Sequence, residues 1–587
     1  MNLAQRGIKD ISFLSGLSGL TKLYLSRNQL TERHLAPLRE LKHLKLLDVS
    51  DNQIRQLPPD ITSWWPGMEI GCEVLSLGGR LNLHGNPLTH PPIEIVKKGK
   101  AGINAYFDSL KGETLPLNEF KVLLVGDGGA GKTSLVKRLM GKKFNNDEPQ
   151  THGININPWE VKRQKTPIKI HLWDFGGQEI MHATHQFFLS KRSLYILVLD
   201  GRKDDKTEYW LKHIRSFGGD SPVLVVLNKI DQHPGFELNR RFLQEKYPNI
   251  TDFFRLSCAE NTGIDDFKKA LEKAIRSVEI IRTTWAKSWF QVKQSLEKMT
   301  EPYISLQQYN SLCLKENIED PAGRDTLVDF LHDLGVILHF DDLGLGDVHV
   351  LEPHWATEAV YKIINSTVAA ANKGILKPAF LADILKQKKI GDYYYPPDKH
   401  HYIVELMKKF EICYQLITGD ILIPDLLAVE EIRFEFEYAR SLPFIFQYDF
   451  LPPSVMPRFI VRMQNDIKDN YRWRTGVLLE NKAFNSTAVV KSDYEEKKIY
   501  IYVNGQQKRD YFSVIRHTIR EINAGFKNIN TVELVPLPEA KEITVEYDDL
   551  IGLEQMGKEF ISIGKLKKDF SVKSLLIINT SNPDIFW

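Results

Sequence analysis

The sequence predicts a multidomain α/β protein in which a short repeat solenoid precedes a doubly wound, mostly parallel sheet and then a long tail, first α-rich and then α+β. Three observations support this fold class. A leucine pattern repeats near the start, buried-type strands then alternate with helices, and strand patterns replace helical ones near residue 440. The length of 587 residues allows roughly four domains at about 150 residues each.

The composition excludes several classes of protein. The chain has 77 Lys and Arg against 75 Asp and Glu, so its net charge of +2 gives no electrostatic reason to expect nucleic acid or an acidic membrane as the main partner. Hydrophobic residues make up 42% and charged residues 26%, which excludes wholesale disorder. No apolar run approaches the roughly 18 residues that cross a bilayer, no signal core follows the N-terminus, and the 4 distant cysteines favour neither a zinc site nor a disulfide framework. We expect a cytoplasmic protein without a transmembrane segment.

Leucine-rich repeats are predicted over residues 1–92. The pattern L-x-x-L-x-L-x-x-N-x-L begins at Leu20 and recurs at Leu44 with Val and Ile at two positions, and this offset of 24 lies within the roughly 20–29 residues typical of such repeats. A third copy places Asn86 34 residues after Asn52, so the third repeat carries an insertion. One short strand per repeat is expected, with the leucines inward and the Asn side chain bonded to backbone groups at the turn.

Two segments follow the repeats. Residues 93–117 are predicted to form a connecting helix and a linker, because Val96, Ile103 and Tyr106 fall on one helical face. Over residues 118–280, buried apolar strands alternate with helical patterns, which favours a doubly wound sheet. Its expected strands are Phe120–Val125, Ile168–Trp173, Ser193–Leu199, Val223–Leu227 and Phe253–Leu256.

The tail is less regular in its pattern. Residues 281–440 are predicted to be α-rich, and residues 441–587 are predicted to form an α+β subdomain. The elements expected in the second part are the strands Arg458–Met463, Gly476–Leu479, Ser486–Val490 and Lys498–Val503 and the helix Tyr511–Ile522.

A phosphate-binding loop is predicted between the first strand of the sheet and the helix after it. The residues that fit the pattern G-x-x-x-x-G-K-[ST] are Gly126, Asp127, Gly128, Gly129, Ala130, Gly131, Lys132 and Thr133, with Ser134 next. Successive backbone N–H groups of such a loop surround phosphates, and the helix N-terminus adds positive potential. Lys132 is expected to reach the β- and γ-phosphates, and the Thr133 hydroxyl is expected to bind Mg²⁺.

A second segment, Asp174-Phe-Gly-Gly177-Gln178, follows the strand Ile168–Trp173. A carboxylate at this strand end can hold Mg²⁺ through its water shell. The Gly177 amide can contact the γ-phosphate, and Gln178 is a residue type that orients an attacking water. The position of this segment, 48 residues after Gly126, supports the assignment.

Two further segments indicate guanine. Asn228-Lys229-Ile-Asp231 closes the strand Val223–Leu227, and the Asp231 carboxylate can accept two hydrogen bonds, from N1–H and the 2-amino group of guanine. Adenine lacks this donor pair, so the carboxylate favours GTP over ATP. The residues that end the next strand, where a backbone amide can meet the guanine O6, are Ser257, Cys258 and Ala259.

These four elements, in this order, resemble the Ras-like GTPase superfamily. The string W-D-F-G-G-Q-E-I-M-H from Trp173, the repeats before it and the long tail after it resemble more specifically the Roco family, which joins a Roc GTPase domain to a COR domain. Three segments of the tail are similar to COR sequences, and they begin at Leu351, Pro457 and Tyr471. No kinase motif follows them.

The resemblance implies roles that the residues alone do not. Thr151 matches the switch I threonine that completes Mg²⁺ coordination and contacts the γ-phosphate. Arg202 matches a position proposed as an arginine finger in bacterial Roco proteins, and a solvated loop arginine is the alternative. The resemblance also implies a homodimer through COR, in which Roc domains can face one another.

We therefore expect a Mg²⁺-dependent GTPase that hydrolyses GTP to GDP and phosphate, with an unidentified protein partner on the repeats. The catalytic candidates are Lys132, Gln178 and Arg202. Three alternatives remain open: a GTP-binding switch with negligible turnover, a scaffold with the nucleotide as structural ligand, and an ATPase, which Asp231 disfavours. His182 and His185 could form a metal pair, but no third ligand is evident and a surface or packing role is the simpler interpretation.

Overall fold

The structure, a computed structural model, describes residues 1–72, 80–149, 151, 153–161, 167–176, 193–200, 207–219, 221–277, 284–340, 345–387, 392–525, 529–538 and 540–576. The chain divides into two compact units. One unit comprises Met1–Lys121, Pro158–His171 and Lys268–Pro353, and the other comprises Val122–Asn157, Leu172–Phe267 and His354–Trp587. Among the helices within the described ranges, none is both long enough and apolar enough to cross a membrane.

Strands of 6 or more residues occur in two regions of the described chain, residues 119–255 and 442–546, and the strands elsewhere are shorter. The described strands are β1 Lys22–Tyr24, β2 Leu46–Asp48, β3 Glu69–Gly71, β4 Arg80–Asn82, β5 Thr114–Pro116, β6 Glu119–Val125, β7 Ile154–Val161, β8 Ile168–Phe175, β9 Ser193–Asp200, β10 Val223–Asn228, β11 Ile250–Arg255, β12 Thr284–Ala286, β13 Tyr303–Ser305, β14 Val348–Val350, β15 Ile375–Leu376, β16 Tyr414–Gln415, β17 Ile421–Leu422, β18 Leu442–Tyr448, β19 Ile467–Trp473, β20 Gly476–Asn481, β21 Ser486–Asp493, β22 Lys498–Gly505, β23 Thr531–Leu537, β24 Ala540–Glu546, β25 Phe560–Ile563 and β26 Lys568–Ser571. The described α-helices are α1 Ile61–Trp64, α2 Ile93–Lys97, α3 Gly99–Ser109, α4 Lys132–Leu139, α5 Thr207–Gly218, α6 Arg240–Lys246, α7 Ile264–Ser277, α8 Lys287–Glu297, α9 Leu306–Lys315, α10 Pro321–Leu334, α11 Pro353–Ile364, α12 Thr367–Ala371, α13 Leu381–Ile384, α14 Pro397–Lys409, α15 Val455–Arg462, α16 Lys508–Ala524, α17 Tyr547–Gln555 and α18 Val572–Leu576.

The repeats form a parallel sheet in the order β1-β2-β4-β3. The repeat asparagines bond to the backbone as expected. Asn52 Nδ2 donates to the carbonyls of Leu25 and Val49, both at 3.0 Å, and its Oδ1 accepts from the Leu30 amide at 3.0 Å. The insertion in the third repeat supplies α1 and β3, which the leucine pattern does not predict.

The connecting segment differs from its prediction. It forms two helices, α2 and α3, because the chain turns at Lys98 and Gly99, and Gly99 has a left-handed φ of +69°. The apolar spacing runs through this turn, so the pattern predicts one helix. The expected linker contains β5, which pairs antiparallel with β12.

A six-stranded sheet has the order β11-β10-β9-β6-β8-β7. Strand β10 pairs parallel with β9 and β11, and every residue of β6, β9 and β10 is buried. Each of the expected strands is present, and α4 to α7 lie between or after them in the chain, so the doubly wound fold class is confirmed. The edge strand β7 is not predicted, because Asn155 and Asn157 interrupt its apolar residues and Pro158 lies within it.

The tail has the expected α-rich and α+β parts. Helices α8 to α14 and a small sheet, β15-β17-β16, form the first part. The second part is a seven-stranded antiparallel sheet in the order β19-β20-β21-β22-β18-β23-β24, and residues of α15 and α16 belong to its hydrophobic core.

The strand predicted over Arg458–Met463 is wrong, because these residues continue helix α15. Phe459 and Ile460 are fully buried, and Arg458 and Arg462 both pair with Glu411. A short apolar run fits a strand or a helix, and the arginines four residues apart share a partner only on a helix.

Candidate functional site

The predicted phosphate-binding loop lies between β6 and α4 and approaches its neighbours closely. Gly126 has a φ of +141°, and a Cβ there would lie 2.1 Å from the Val198 carbonyl oxygen. Gly131 has a φ of +94°, and a Cβ there would lie 2.2 Å from Nδ2 of Asn228. Both positions therefore require glycine, for conformation and for space. The loop leads into the start of α4, and the first N–H groups of any helix have no acceptor within the helix, so this position favours an anion.

Lys132 is buried at the start of α4, and its ammonium is bonded within the loop. Nζ donates to the carbonyl oxygens of Gly126, at 2.7 Å, and Asp127, at 2.9 Å. Burial lowers the pKa of Lys132 to about 8, and the negative charges of Asp174 and Asp127 partly oppose this shift. If an anion bound to Nζ, its charged oxygens would replace these two neutral carbonyl oxygens as hydrogen-bond acceptors.

Three oxygen-bearing side chains converge beside Lys132. Thr133 Oγ1 donates to Asp174 Oδ2 at 2.6 Å and lies 2.8 Å from Thr151 Oγ1. Burial raises the pKa of Asp174, and the bond from Thr133 and the charge of Lys132 oppose the shift. Asp174 Oδ1 is buried and accepts no hydrogen bond from any residue in the described part of the chain. This buried carboxylate oxygen and two hydroxyls are ligands of the kind that Mg²⁺ prefers, so the residues fit that ion.

At the end of the site that contains Asn228 and Cys258, side chains bond to backbone groups of neighbouring segments. Asn228 Nδ2 donates to the Ala130 carbonyl at 2.9 Å, and its Oδ1 accepts from the Cys258 amide at 3.2 Å. Arg138 donates from Nε to the Cys258 carbonyl at 2.7 Å and from Nη2 to the Ala259 carbonyl at 2.9 Å. One asparagine and one arginine thus connect the phosphate-binding loop, α4 and the segment after β11.

Asp231 is exposed, and Ser257 is fully buried. Lys229 Nζ lies 3.3 Å from Asp200 Oδ2. Burial raises the pKa of the Cys258 thiol to about 12, so this cysteine is an inert part of the framework.

These elements enclose one cavity of about 510 Å³. The predicted site residues that line it are Gly128, Gly129, Gly131, Lys132, Thr133, Ser134, Thr151, Asn228, Lys229, Asp231, Cys258 and Ala259. Asp174 stands behind this lining, bonded to Thr133. Other predicted site residues, Gly177, Gln178 and Arg202, lie outside the described residues, as do His182 and His185.

Sequence reasoning misses several residues that shape the cavity. Phe144 and Glu148 line it, Lys137 pairs with Glu148, and Trp210 Nε1 donates to Asp127 Oδ1 at 3.0 Å. The sequence signal for these contacts is the basic pair Lys137-Arg138 in the last turn of α4. This signal is weak, because basic residues are favourable at the C-terminus of any helix.

Comparison with known proteins gives the family. Family models match residues 43–64 (Leucine Rich Repeat), 121–231 (Ras of Complex, Roc, domain of DAPkinase), 286–427 (C-terminal of Roc, COR-A domain) and 439–578 (C-terminal of Roc, COR-B domain). A solved structure of Methanosarcina barkeri Roco2 RocCORdC bound to GDP is 63% identical, with 55% of this chain and 100% of that chain covered and a TM-score of 0.50. The chain belongs to the Roco family.

Two curated relatives illustrate the range of the family. A Roc-COR-CHAT protease from an unknown prokaryotic organism is 25% identical over 94% of this chain and 53% of its own length. The probable serine/threonine-protein kinase pats1 of Dictyostelium discoideum is 28% identical over 74% of this chain and 15% of its own length. This Roco chain thus spans about half or less of these relatives. Its Roc match includes Lys132, Thr151, Asp174 and Asp231, whereas Cys258 follows the match.

Proposed function

We propose that this Roco protein binds guanine nucleotides with Mg²⁺ and hydrolyses GTP to GDP and phosphate, as a molecular switch coupled to dimerisation through COR. One observation carries the proposal: the phosphate-binding loop, Thr151 and Asp231 line a single cavity of about 510 Å³. The GDP in the related Methanosarcina barkeri structure supports guanine nucleotide as the ligand.

The loop offers the contacts that a polyphosphate needs. Its backbone N–H groups and the start of α4 provide positive potential. Lys132 Nζ can exchange its bonds to the Gly126 and Asp127 carbonyls for bonds to phosphate oxygens. Both sets of bonds have a charged donor, but the phosphate oxygens also carry negative charge, so attraction between opposite charges favours the bound state.

Mg²⁺ is proposed to bind beside the phosphates. The Thr133 and Thr151 hydroxyls would hold it, and Asp174 would bind it through its water shell. When bound, the ion neutralises charge on the phosphate oxygens. Asp174 also accepts the Thr133 hydroxyl, which keeps this hydroxyl in place.

The base is proposed to bind at Asp231. Its carboxylate is exposed beside the cavity and can accept both guanine donors, while the Cys258–Ala259 backbone is held in place by Arg138. Phe144 contributes an aromatic face to the cavity, which suits contact with a purine. Adenine at the same place would leave the carboxylate unpaired.

Hydrolysis is proposed to depend on Gln178 and Arg202. Water attacks the γ-phosphorus, the bond to the β-phosphate oxygen breaks so that GDP leaves with this oxygen, and both protons of the water leave with inorganic phosphate as H2PO4⁻. Gln178 would orient the water, and Lys132 and Arg202 would stabilise the developing charge. The sequence pattern supports the role of Gln178, and the resemblance to Roco sequences supports the role of Arg202.

Nucleotide binding and single-turnover phosphate release by the purified chain test the proposal. GTP and GDP should bind at least about 100-fold more tightly than ATP, because only guanine pairs with Asp231. Gln178→Leu should keep the GTP affinity within a few-fold and slow hydrolysis on the order of ten-fold or more, because only transition-state positioning is lost. Equal affinity for ATP would contradict the base assignment, and binding without phosphate release would leave a switch that is not an enzyme.

Light scattering with GDP and with a GTP analogue tests the coupling to COR. We expect a homodimer whose affinity depends on the bound nucleotide. If Arg202 acts across the dimer, mixing Arg202→Ala with Lys132→Ala chains should recover activity that neither has alone. A nucleotide-insensitive monomer at micromolar concentration would contradict the coupling.

A further inference from the structure

We propose that the ion pair between Lys137 and Glu148 positions the loop that carries Thr151 and neutralises a carboxylate that would otherwise oppose a γ-phosphate. The pair would therefore act on the triphosphate state and not on the diphosphate state. This inference rests on the proposed function, because it assigns a positioning role at the same guanine nucleotide site.

The Thr151 loop, described at residues 142–149 and 151, has few packed side chains of its own. Among residues 142–149, only Phe144 and Glu148 are partly buried, and the others are exposed. An exposed loop is held by its few packed side chains, so the contacts of Phe144 and Glu148 help to determine where the middle of the loop lies between Lys142, whose amide donates to the Lys137 carbonyl, and Thr151. Both contacts come from the last turn of α4.

Two consecutive basic residues of α4 make these contacts. Arg138, which holds the Cys258 and Ala259 carbonyls, places its guanidinium 5.9 Å from the centre of the Phe144 ring. Lys137 Nζ donates to both carboxylate oxygens of Glu148, at 2.7 and 2.6 Å. The Lys137 and Glu148 side chains are only 34% and 17% exposed, so this pair is screened less than a surface pair.

Fixing Glu148 restricts Thr151. Three residues of chain span at most about 10 Å, so the Thr151 hydroxyl must lie close to a fixed Glu148. That hydroxyl is 2.8 Å from Thr133 Oγ1 and 3.4 Å from Asp174 Oδ2, in the cluster assigned to Mg²⁺. Lys137 thus acts through Glu148 on Thr151, which makes it a positioning residue.

The charge of Glu148 explains why a partner is needed. Glu148 lines the same cavity as Lys132 and Thr133, so its carboxylate faces the space assigned to the nucleotide. An unpaired carboxylate there would repel a phosphate anion as well as the Asp174 carboxylate. Lys137 supplies the compensating positive charge, so Glu148 can serve as an anchor without opposing the ligand.

A charge-deletion cycle tests the proposal. The variants are Lys137→Met, Glu148→Gln, their double variant and the swap Lys137→Glu with Glu148→Lys. The readouts are the dissociation constants of GDP and of a non-hydrolysable GTP analogue, and the Mg²⁺ concentration for half-maximal analogue binding. Arg241→Met is the matched control, because it breaks the exposed Arg241–Glu245 pair on α6.

Lys137→Met should weaken analogue binding ten-fold or more, leave GDP affinity within three-fold and raise the Mg²⁺ requirement, because Glu148 becomes both unanchored and unneutralised. The double variant should recover to the level of Glu148→Gln, about three-fold below the wild type, and Arg241→Met should match the wild type. A merely structural role would weaken GDP and the analogue equally.

Lys137→Arg should restore analogue binding to within three-fold, which keeps the test valid if Lys137→Met is unstable. Unchanged analogue affinity in Lys137→Met, or equal losses for GDP and the analogue, would overturn the inference and leave guanine nucleotide binding intact. A wild-type chain that binds neither nucleotide would overturn the proposed function, and the inference with it.

Discussion

At the phosphate end of the cavity, Lys132 and Asp174 are buried and bonded within the protein, whereas at the base end Asp231 is exposed and only the framework behind it is buried. At the phosphate end, the charged side chains are hydrogen-bonded to other groups of the protein. The second end holds its backbone through Asn228 and Arg138 and presents one carboxylate to solvent. The two ends of the proposed site thus differ in the surroundings that a ligand would meet.

The difference has a thermodynamic consequence. At the phosphate end a ligand must replace existing hydrogen bonds, so its gain depends on exchanging neutral acceptors for charged ones and on the ionisation of Lys132. At the base end Asp231 is exposed, so a ligand exchanges hydrogen bonds from water for hydrogen bonds from the base, and its gain depends on the donor pattern of the base. Changes at the first end should alter overall affinity and pH dependence, and changes at the second should alter selectivity.

The largest effect is expected from Lys132→Ala. Removing the ammonium deletes charge-assisted bonds to two phosphates, and we expect affinity for GDP and GTP to fall by roughly 4 kcal/mol, about 1,000-fold. Fluorescence titration measures the loss, and a thermal unfolding midpoint at or above that of the wild type would show that the fold is intact. Retained tight binding would mean that the loop backbone alone carries the phosphate end.

Asp231→Asn is expected to have the next largest effect. The carboxylate accepts two donors from guanine, and an amide cannot accept both, so GTP affinity should fall by about 3 kcal/mol. Xanthosine triphosphate, which carries an oxygen in place of the 2-amino group, should bind the variant better than GTP does. Unchanged preference for GTP would contradict the assignment of the base end.

The two ends also differ in how far the sequence predicts them. The phosphate-binding loop is predicted residue by residue, because its glycines and Lys132 serve a local geometry that begins and ends within eight residues. Asn228 and Asp231 are predicted as well, since they follow a buried strand. The roles of Arg138, Phe144 and Glu148 depend on contacts across 6 to 121 residues of chain, and no local pattern marks them.

The same contrast holds for the fold. Long buried strands such as β9 and β10 are predicted from continuous apolar runs. Strand β7 and helix α15 are not, because asparagines interrupt the apolar residues of β7 and Pro158 lies within it, and because α15 contains a short apolar run that fits either period. In both cases packing against the rest of the chain decides the structure, and the local sequence does not.

A pH titration should separate the two ends. Burial lowers the pKa of Lys132 to about 8, so the free protein loses this positive charge as the pH rises through about 8. Phosphates bind the charged form, and GDP affinity should therefore be flat near neutral pH and fall towards ten-fold per pH unit above the pKa. Calorimetry at pH 8.5 in two buffers of different ionisation enthalpy should show uptake of roughly three quarters of a proton, which is the deprotonated fraction of a group with a pKa of about 8. Binding without proton uptake would place the Lys132 pKa well above this value.

The smallest effect is expected from Arg138→Met, which loosens the base end without touching its carboxylate. The variant loses the two bonds that hold the Cys258 and Ala259 carbonyls, while the methionine retains part of the packing against Phe144. We expect GDP and GTP affinities to fall equally, by about 1 kcal/mol or five-fold, because one framework and not one nucleotide state is affected. The alkaline fall in affinity should be unchanged, since Lys132 keeps its surroundings. Titrations of both nucleotides at pH 7 and pH 8.5 measure these quantities, with the exposed Arg241→Met as the control. A loss confined to GTP, or a changed pH slope, would show that Arg138 acts on the phosphate end, and the two ends would then form one coupled unit.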